Sequence, residues 1–471
     1  MGSYHAARSQ ISFGWDLAAD HLTLTGATFS ANVISALAGL TAAKYERQEM
    51  WVRNGTNAGK VYHVVTNTTT SITLEEQTTG FAATDKVAFT LHGKRPTVTS
   101  LFLASDEEQG LPHTKRTLMQ KWWHGQGAKP AQTFQLKKEF TSRGLKFDLQ
   151  HPALLMGILG GIYDTGTDVG GGGGSTLSAA YKRGENIITV ASAANYAVSD
   201  FIQVGVGTAP PAEGTAEIRK ITAIAVNDIT LDAPLDYDHA SAEVCNEVAA
   251  PFTHVQSALD RNPPNMVLEA AFDEATDVVF HWTGGYIGGV TVEGKADGSV
   301  TVSLDEAVFL DELQDDAARS TVTALTTQPY QWSHIDGGIT FNGIKYASVE
   351  SWKLTIKRAV DMRWQHTNAT SGKPTKGYPA AYEFSFSATV VPQNANFLAL
   401  VRNGTEFTTT VKYIRTATTD ECTFSLTNCN LEEAPHPLPK QKHVEVTATG
   451  MAEAVTVTTA DSYGHYWLMA T

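Results

Sequence analysis

Apolar and polar residues alternate along most of this chain, a period-two pattern that predicts strands half-buried in sheets. Val278-Val279-Phe280-His281-Trp282-Thr283 and Cys422-Thr423-Phe424-Ser425-Leu426 are two such runs. Each follows an earlier strand-like run, at Val267 to Phe272 and at Val411 to Ile414. Each leads through an excursion to another, at Val300 to Ser303 and at Val444 to Thr447. Phe280 to Val300 and Phe424 to Val444 have equal spacing. A strand and a short helix-like segment precede each copy: Leu145 to Leu149 with Pro152 to Gly160, and Tyr382 to Val390 with Asn394 to Val401. The second half of the chain therefore reads as one β module written twice.

A smaller repeat lies earlier. Val61, Ile72 and Val87 head three short apolar runs, and Ile218, Ile229 and Val244 repeat that spacing. Met50-Trp51-Val52 and Phe201-Ile202-Gln203-Val204 precede the two sets. Short strands with turn signals at this spacing predict small β-barrel or sandwich modules. The second small module follows Gly170 to Ser175, a flexible type of connector, and so reads as an insertion into the first large module. Asp311 to Ser320, acidic and polar, reads as a solvated connector between the large modules.

The helical segments are few. Pro152 near a start and Gly160 at an end delimit one. Asn394 to Val401 stops at Asn403-Gly404. Both are apolar and read as plugs against a sheet. The fold class expected is all-β with a few short helices.

Charge and cysteine content narrow the function. The 471 residues carry a formal charge of −14, which argues against tight binding of nucleic acid through Lys and Arg. Three cysteines make no disulfide framework. Cys422 and Cys429 read as free thiols, with pairing across a hairpin left open. The N-terminus has no apolar signal region, and no stretch is long enough to span a bilayer, so synthesis in a cytoplasm is expected.

Ser351-Trp352-Lys353-Leu354-Thr355-Ile356 runs into a polar loop with Arg363, Gly372-Lys373-Pro374 and Gly377. It returns at Tyr382 to Thr389, meets the short helix and closes at Phe407 to Tyr413. This order resembles the tail tube proteins of long-tailed bacterial and archaeal viruses, and residues 134–161 with 252 onward resemble the family's first half. The resemblance implies two tandem tail-tube-type β-sandwich or barrel modules plus two small β-barrel-like modules. The expected layout is an N-terminal arm (1–47), a small module (48–93), tube module 1 (94–169 and 251–312), the inserted small module (170–250), tube module 2 (321–455) and a C-terminal tail (456–471).

The resemblance also implies a structural virion subunit, assembled in the host cytoplasm and stacked in rings around a channel for genomic DNA. Two modules per chain imply homotrimeric rings with pseudo-sixfold symmetry, joined by other tail proteins. The long loops 105–130 and 359–378 would reach neighbours, with Trp122, Trp123, Arg363 and Trp364 as candidate contacts. The lumen should pass DNA without holding it, and the small modules should sit outside.

No nucleophile elbow, phosphate loop or zinc spacing appears, so no catalytic residue, cofactor or metal is expected. His436 and His443 are wrongly spaced for a helical metal pair. Four Asn-x-Thr sequences are short enough to arise by chance in a Thr-rich chain. Two alternatives stand beside the tube reading: a baseplate or fibre-associated protein that binds host glycans, and a polysaccharide hydrolase.

Overall fold

The computed structural model describes residues 10–15, 20–38, 40–42, 45, 49–52, 55–57, 60–89, 100–101, 110–121, 132–169, 174–181, 185–205, 216–258, 265–272, 278–315, 319–325, 327–346, 349–364, 372–374, 376–391, 403–415, 418–433 and 445–466. Among them the protein is all-β, with one α-helical turn.

One long antiparallel sheet crosses both large modules. Its strands run in the order His113–Lys121, Gln132–Ser142 with Leu145–Asp148, Thr301–Phe309, the second half of Val278–Lys295, Val349–Arg363, Lys376–Val390, Val446–Ala452 and the end of Glu421–Glu433. A second sheet also crosses both. Gly160–Asp168 pairs with Val244–Ala258, which pairs with Ala454–Asp461, then come Glu421–Glu433, Phe407–Ile414 and Ile335–Phe341. A third sheet flanks module 1, where Gln10–Trp15, Met266–Phe272, the first half of Val278–Lys295 and Asp311–Asp315 lie side by side.

Two long strands bend alike. Val278–Lys295 and Glu421–Glu433 each pass from one sheet to another. A strand that changes sheets needs a break in the pleat. The break falls at Gly284 (φ +62°) and at Asn428 (φ +50°), positions 144 apart, like Phe280 and Phe424. Glycine and asparagine tolerate this left-handed conformation best. Phe280 and Trp282 in one copy, and Phe424 and Leu426 in the other, pack in or against the same core.

That core is continuous across the modules. It takes Phe147, Val292 and Leu304 from module 1, and Leu354, Ile356, Phe386 and Val457 from module 2. The long and second sheets face each other across it: Trp352 of the first lies 5.3 Å from Phe424 of the second, ring centre to ring centre. The helical turn plugs one side. Pro152 opens it, Met156–Leu159 are buried, and Gly160 (φ +77°) ends it while its N–H bonds Met156 O. The segment 394–401 lies outside the described residues, apart from which the plug role holds for the first copy.

The small modules have separate cores. Residues 20–89 form a seven-stranded sheet around Leu24, Ile34, Met50, Val64, Ile72, Val87 and Phe89. The inserted module packs Leu177, Ile188, Val190, Ile202, Ile229, Leu231 and Cys245. Both pair their strands alike: Glu49–Val52 lies between Val61–Asn67 and Lys86–Phe89, as Phe201–Val204 lies between Glu217–Ala225 and Val244–Ala258. Lys86 and Glu185 join the two modules at 2.7 Å.

Three segments are more structured than their composition predicts. Residues 10–15 and 20–35, read as part of an arm, supply strands to two sheets. Asp311–Asp315, read as the start of a solvated connector, is an edge strand against Val279 to Thr283. Its Glu312 accepts hydrogen bonds from Trp282 Nε1 and Thr114 Oγ1, both at 2.9 Å. Charged residues suit an edge strand as well as a linker, because they discourage promiscuous pairing. Residues beyond 455, read as a tail, complete the Ala454–Asp461 strand and bury Tyr463, His465 and Tyr466.

Candidate functional site

The surfaces that could do work are a sheet face, two sheet edges and two seams. Around the middle of the long sheet, apolar and polar residues alternate between its two faces. Leu145, Phe147, Val302, Leu304, Val290, Val292, Leu354 and Ile356 point into the core. The intervening residues point away from it: Lys146, Asp148, Thr301, Ser303, Thr291, Glu293, Lys353 and Thr355. The same face continues in module 2 through Ser385, Ser387, Thr389, Thr447 and Thr449. It is rich in hydroxyls, and its charges are of both signs.

The first seam joins the modules through the long sheet. Gly289–Lys295 pairs with Ser351–Lys357 over seven residues. Val290, Val292, Leu354 and Ile356 back this ladder on the core side. Thr291 and Thr355 share a hydroxyl hydrogen bond of 3.1 Å on the other face. Gly294 is required there, since a Cβ would lie 2.5 Å from Trp352 Nε1 and 2.8 Å from Tyr413 Oη. Tyr382 of module 2 donates to Ile158 O of the helical turn at 2.9 Å.

The second seam pairs Phe252–Ser257 with Thr456–Asp461 and is polar at its centre. His254 is fully buried; Nδ1 lies 2.7 Å from Asp164 Oδ1 and Nε2 lies 2.7 Å from Tyr463 O. Two acceptors, one at each ring nitrogen, require the doubly protonated imidazolium. Burial opposes that charge, but Asp461 and Asp164 outweigh it and push the pKa up to about 10. Burial likewise opposes ionisation of Asp461, yet His254 and His151 hold its carboxyl well below the usual range. His151, 2.9 Å from Asp461, is pulled down by burial and stays neutral.

The inserted module joins this cluster through Arg219, which is fully buried. Its Nη2 lies 2.5 Å from Glu217 and 3.2 Å from Asp236, and its Nη1 lies 4.0 Å from Asp164. Arg219 also donates to Pro234 O and Ile218 O, so its fork is well used. His239 bonds Glu217 at 2.8 Å. The module's last strand, Val244–Ala258, runs unbroken into the second seam. The insert is thus held by continuous backbone and buried charge as well as by its glycine connector.

The candidate contact residues fall unevenly. Trp122 and Trp123 lie outside the described residues, as do His436 and His443. Trp364 packs within the chain: its Nε1 donates to Lys138 O at 3.2 Å, and Lys137 Nζ sits 4.1 Å from its ring centre. Arg363, about 61% exposed, pairs with Asp361 at 2.5 Å. Sequence reasoning singled out none of Arg219, His254 or Asp461. Their one signal was a charged residue embedded in apolar strands, as in Phe252-Thr253-His254-Val255. Cys245, Cys422 and Cys429 are free and buried, and Cys422 and Cys429 share one strand, too far apart to bond. Burial pushes the Cys245 thiol up to about 12.

Among the described residues, His63, Glu75 and Glu76 are one acidic-histidine group close enough to share an ion. Glu76 already accepts from His63 N–H at 2.9 Å and from its Nδ1 at 2.6 Å, which accounts for the arrangement. No described helix is long and apolar enough to cross a membrane.

Long antiparallel ladders that join distant parts of the chain, such as Gly289–Lys295 with Ser351–Lys357 and Phe252–Ser257 with Thr456–Asp461, are the dominant feature of the described residues. The chain belongs to the phage tail tube protein family, whose model matches residues 125–458, over two thirds of its length. No curated protein matches it. It is therefore a structural protein of the virion tail, and its family assembles with itself and with other tail proteins.

Proposed function

We propose that three copies of this chain close a ring of six tube modules, that rings stack into the tail tube, and that the hydroxyl-rich face of the long sheet lines the channel for DNA. The observation that carries this reading is the first seam. It is a module-to-module ladder already made inside one chain, of the kind a closed ring repeats. Closing the ring also removes the open edges that would otherwise pair at random.

The wall chemistry fits passage without capture. Lys146 sits beside Asp148, and Lys353 lies across the ladder from Glu293. A wall of Lys and Arg alone would hold phosphate at every ring, whereas paired charges among Ser and Thr do not. The inserted module hangs on the second sheet, across the core from this face, and this supports the reading that it lies on the outside of the tube. Trp122, Trp123 and Arg363 are proposed to contact neighbouring copies, and the Trp364 loop to stiffen the hairpin beside them.

Negative-stain electron microscopy of the purified protein tests the reading. Hollow filaments with threefold features on a sixfold frame are expected. Protein that stays monomeric at high concentration, even with tail-initiating proteins supplied, overturns it.

A further inference from the structure

We propose that residues 462–466 form a clasp that fixes the angle of the inserted module. The clasp closes only when Ala454–Asp461 is seated beside Phe252–Ser257. The inference concerns a single chain and does not rest on the ring reading.

The insert needs such a brace because of how it is joined. It has its own core and rises from the second sheet on two strands, Gly160–Asp168 and Val244–Ala258. The register of these strands shifts between Thr165 and Thr167, a β-bulge. At Gly166 there is no room for a Cβ, which would lie 2.6 Å from Val248 Cβ. A bulged two-stranded ribbon bends and twists. Module 1 steadies the ribbon from one side. Asp164 N–H donates to Ala216 O at 2.9 Å, and Gly166 N–H donates to Gln203 Oε1 at 3.0 Å.

The clasp braces the insert from another side. Gly464 lies against the Phe201 ring of the insert, with no space for a Cβ between them. His465 is fully buried, and its Nε2 lies 2.7 Å from Oδ2 of Asp232, also in the insert. The same five residues are tied to the second seam. Tyr463 N–H donates to Asp461 Oδ1 at 2.8 Å, and Tyr466 Oη donates to Asp461 Oδ2 at 3.0 Å. Tyr463 O accepts from His254 Nε2, and the Tyr466 ring centre lies 4.1 Å from that of His151. Asp461 ends the ladder, opposite Phe252. The chain therefore folds back into the clasp only where the seam is made. A buried carboxylate loses heavily when its hydrogen-bond partner is displaced, so the clasp is either closed or open.

Distances between paired spin labels in the unassembled full chain test the clasp. The labels go on exposed positions, and the native cysteines are buried. Val226→Cys in the insert with Lys357→Cys in the first seam reports the angle, and should give one narrow distance. Adding His465→Ala or Gly464→Val should abolish that narrow peak. His465→Gln, which can still donate to Asp232, should keep it. Asp461→Ala, a change in the seam, should abolish it as His465→Ala does. Two control pairs should stay narrow throughout: Val226→Cys with Ser241→Cys inside the insert, and Lys357→Cys with Thr427→Cys inside the tube modules. A narrow insert-to-tube distance in both His465→Ala and Gly464→Val overturns the clasp. A broad distance before any of these changes does the same. Broadening of the control pairs along with the insert-to-tube pair also overturns it, since residues 462–466 would then belong to one common core. A narrow distance in Asp461→Ala overturns the dependence on the seam. Loss of the peak in His465→Gln overturns the hydrogen bond to Asp232 as what closes the clasp.

Discussion

The two seams between the tube modules make the same kind of ladder and are backed by opposite chemistry. Beneath the first lie Val290, Val292, Leu354 and Ile356. Beneath the second lie His254, Asp461, Asp164 and His151, all buried. An apolar seam gains free energy over a range of small shifts, since any buried methyl contributes. A buried ion cluster gains little net free energy and loses heavily when one partner is displaced. The first seam is therefore the adhesive kind, suited to repetition between copies. The second exists only because module 1 carries the extra hairpin Gly160–Asp168 with Val244–Ala258, and it fixes how the modules and the insert sit together.

Removing one charge from the second seam should have the largest effect. Asp461→Ala leaves the His254 imidazolium buried beside one fewer carboxylate, and should destabilise the chain by about 3–5 kcal/mol in denaturant unfolding. Asp461→Asn should cost less, because it keeps the shape and one acceptor. Equal costs for the two would show that packing, and not charge, holds this seam.

Truncation in the first seam comes next. Leu354→Ala removes a fully buried side chain and should cost about 3 kcal/mol. Its cost should not vary with pH, since only apolar groups change. A pH-dependent penalty would mean that the two seams are coupled more tightly than their separate chemistry implies.

The pH response separates the seams further. His254, raised to about 10, gives stability that is complete below its unfolded value of about 6.5 and lost as pH climbs from there toward 10. Asp461 is held low, so its contribution is present above about pH 4 and lost as the medium becomes more acid. His151 is held neutral by burial, so its contribution is lost below about pH 6.5. Together they set a stability maximum near neutrality. The melting temperature should fall between pH 6.5 and 9.5 in the wild type, and fall less in Asp461→Ala. A flat profile in the wild type would remove the imidazolium from the account.

How much of this was legible depends on the range of each interaction. The all-β character was readable because runs such as those around Phe280 and Phe424 alternate apolar and polar residues, and alternation is a local property. The bend at Gly284 and Asn428 left no such trace, since the two residues differ in type and only their backbone angle is shared. Asp311–Asp315 was misread because an acidic edge strand and an acidic linker have the same composition. The buried cluster joins residues from 151 to 465, and nothing local to His254 announces that Asp164 and Asp461 will meet it. Trp122 and Arg363 were chosen by residue type and loop position, which give no distance to a partner.

The smallest expected effect tests that last choice. Arg363 is mostly exposed, and so is its partner Asp361. An exposed ion pair on a strand end is screened by water, so Arg363→Ala should change monomer stability by less than about 0.5 kcal/mol. Trp364→Ala should cost clearly more, because that ring is held between Lys137 and the Lys138 carbonyl. If both variants melt like the wild type, the hairpin tip does not rest on module 1 in solution. If Arg363→Ala leaves the melting temperature unchanged but slows filament growth, the loss must arise between copies. That outcome would assign Arg363 to assembly and Trp364 to the fold, although the two positions are adjacent.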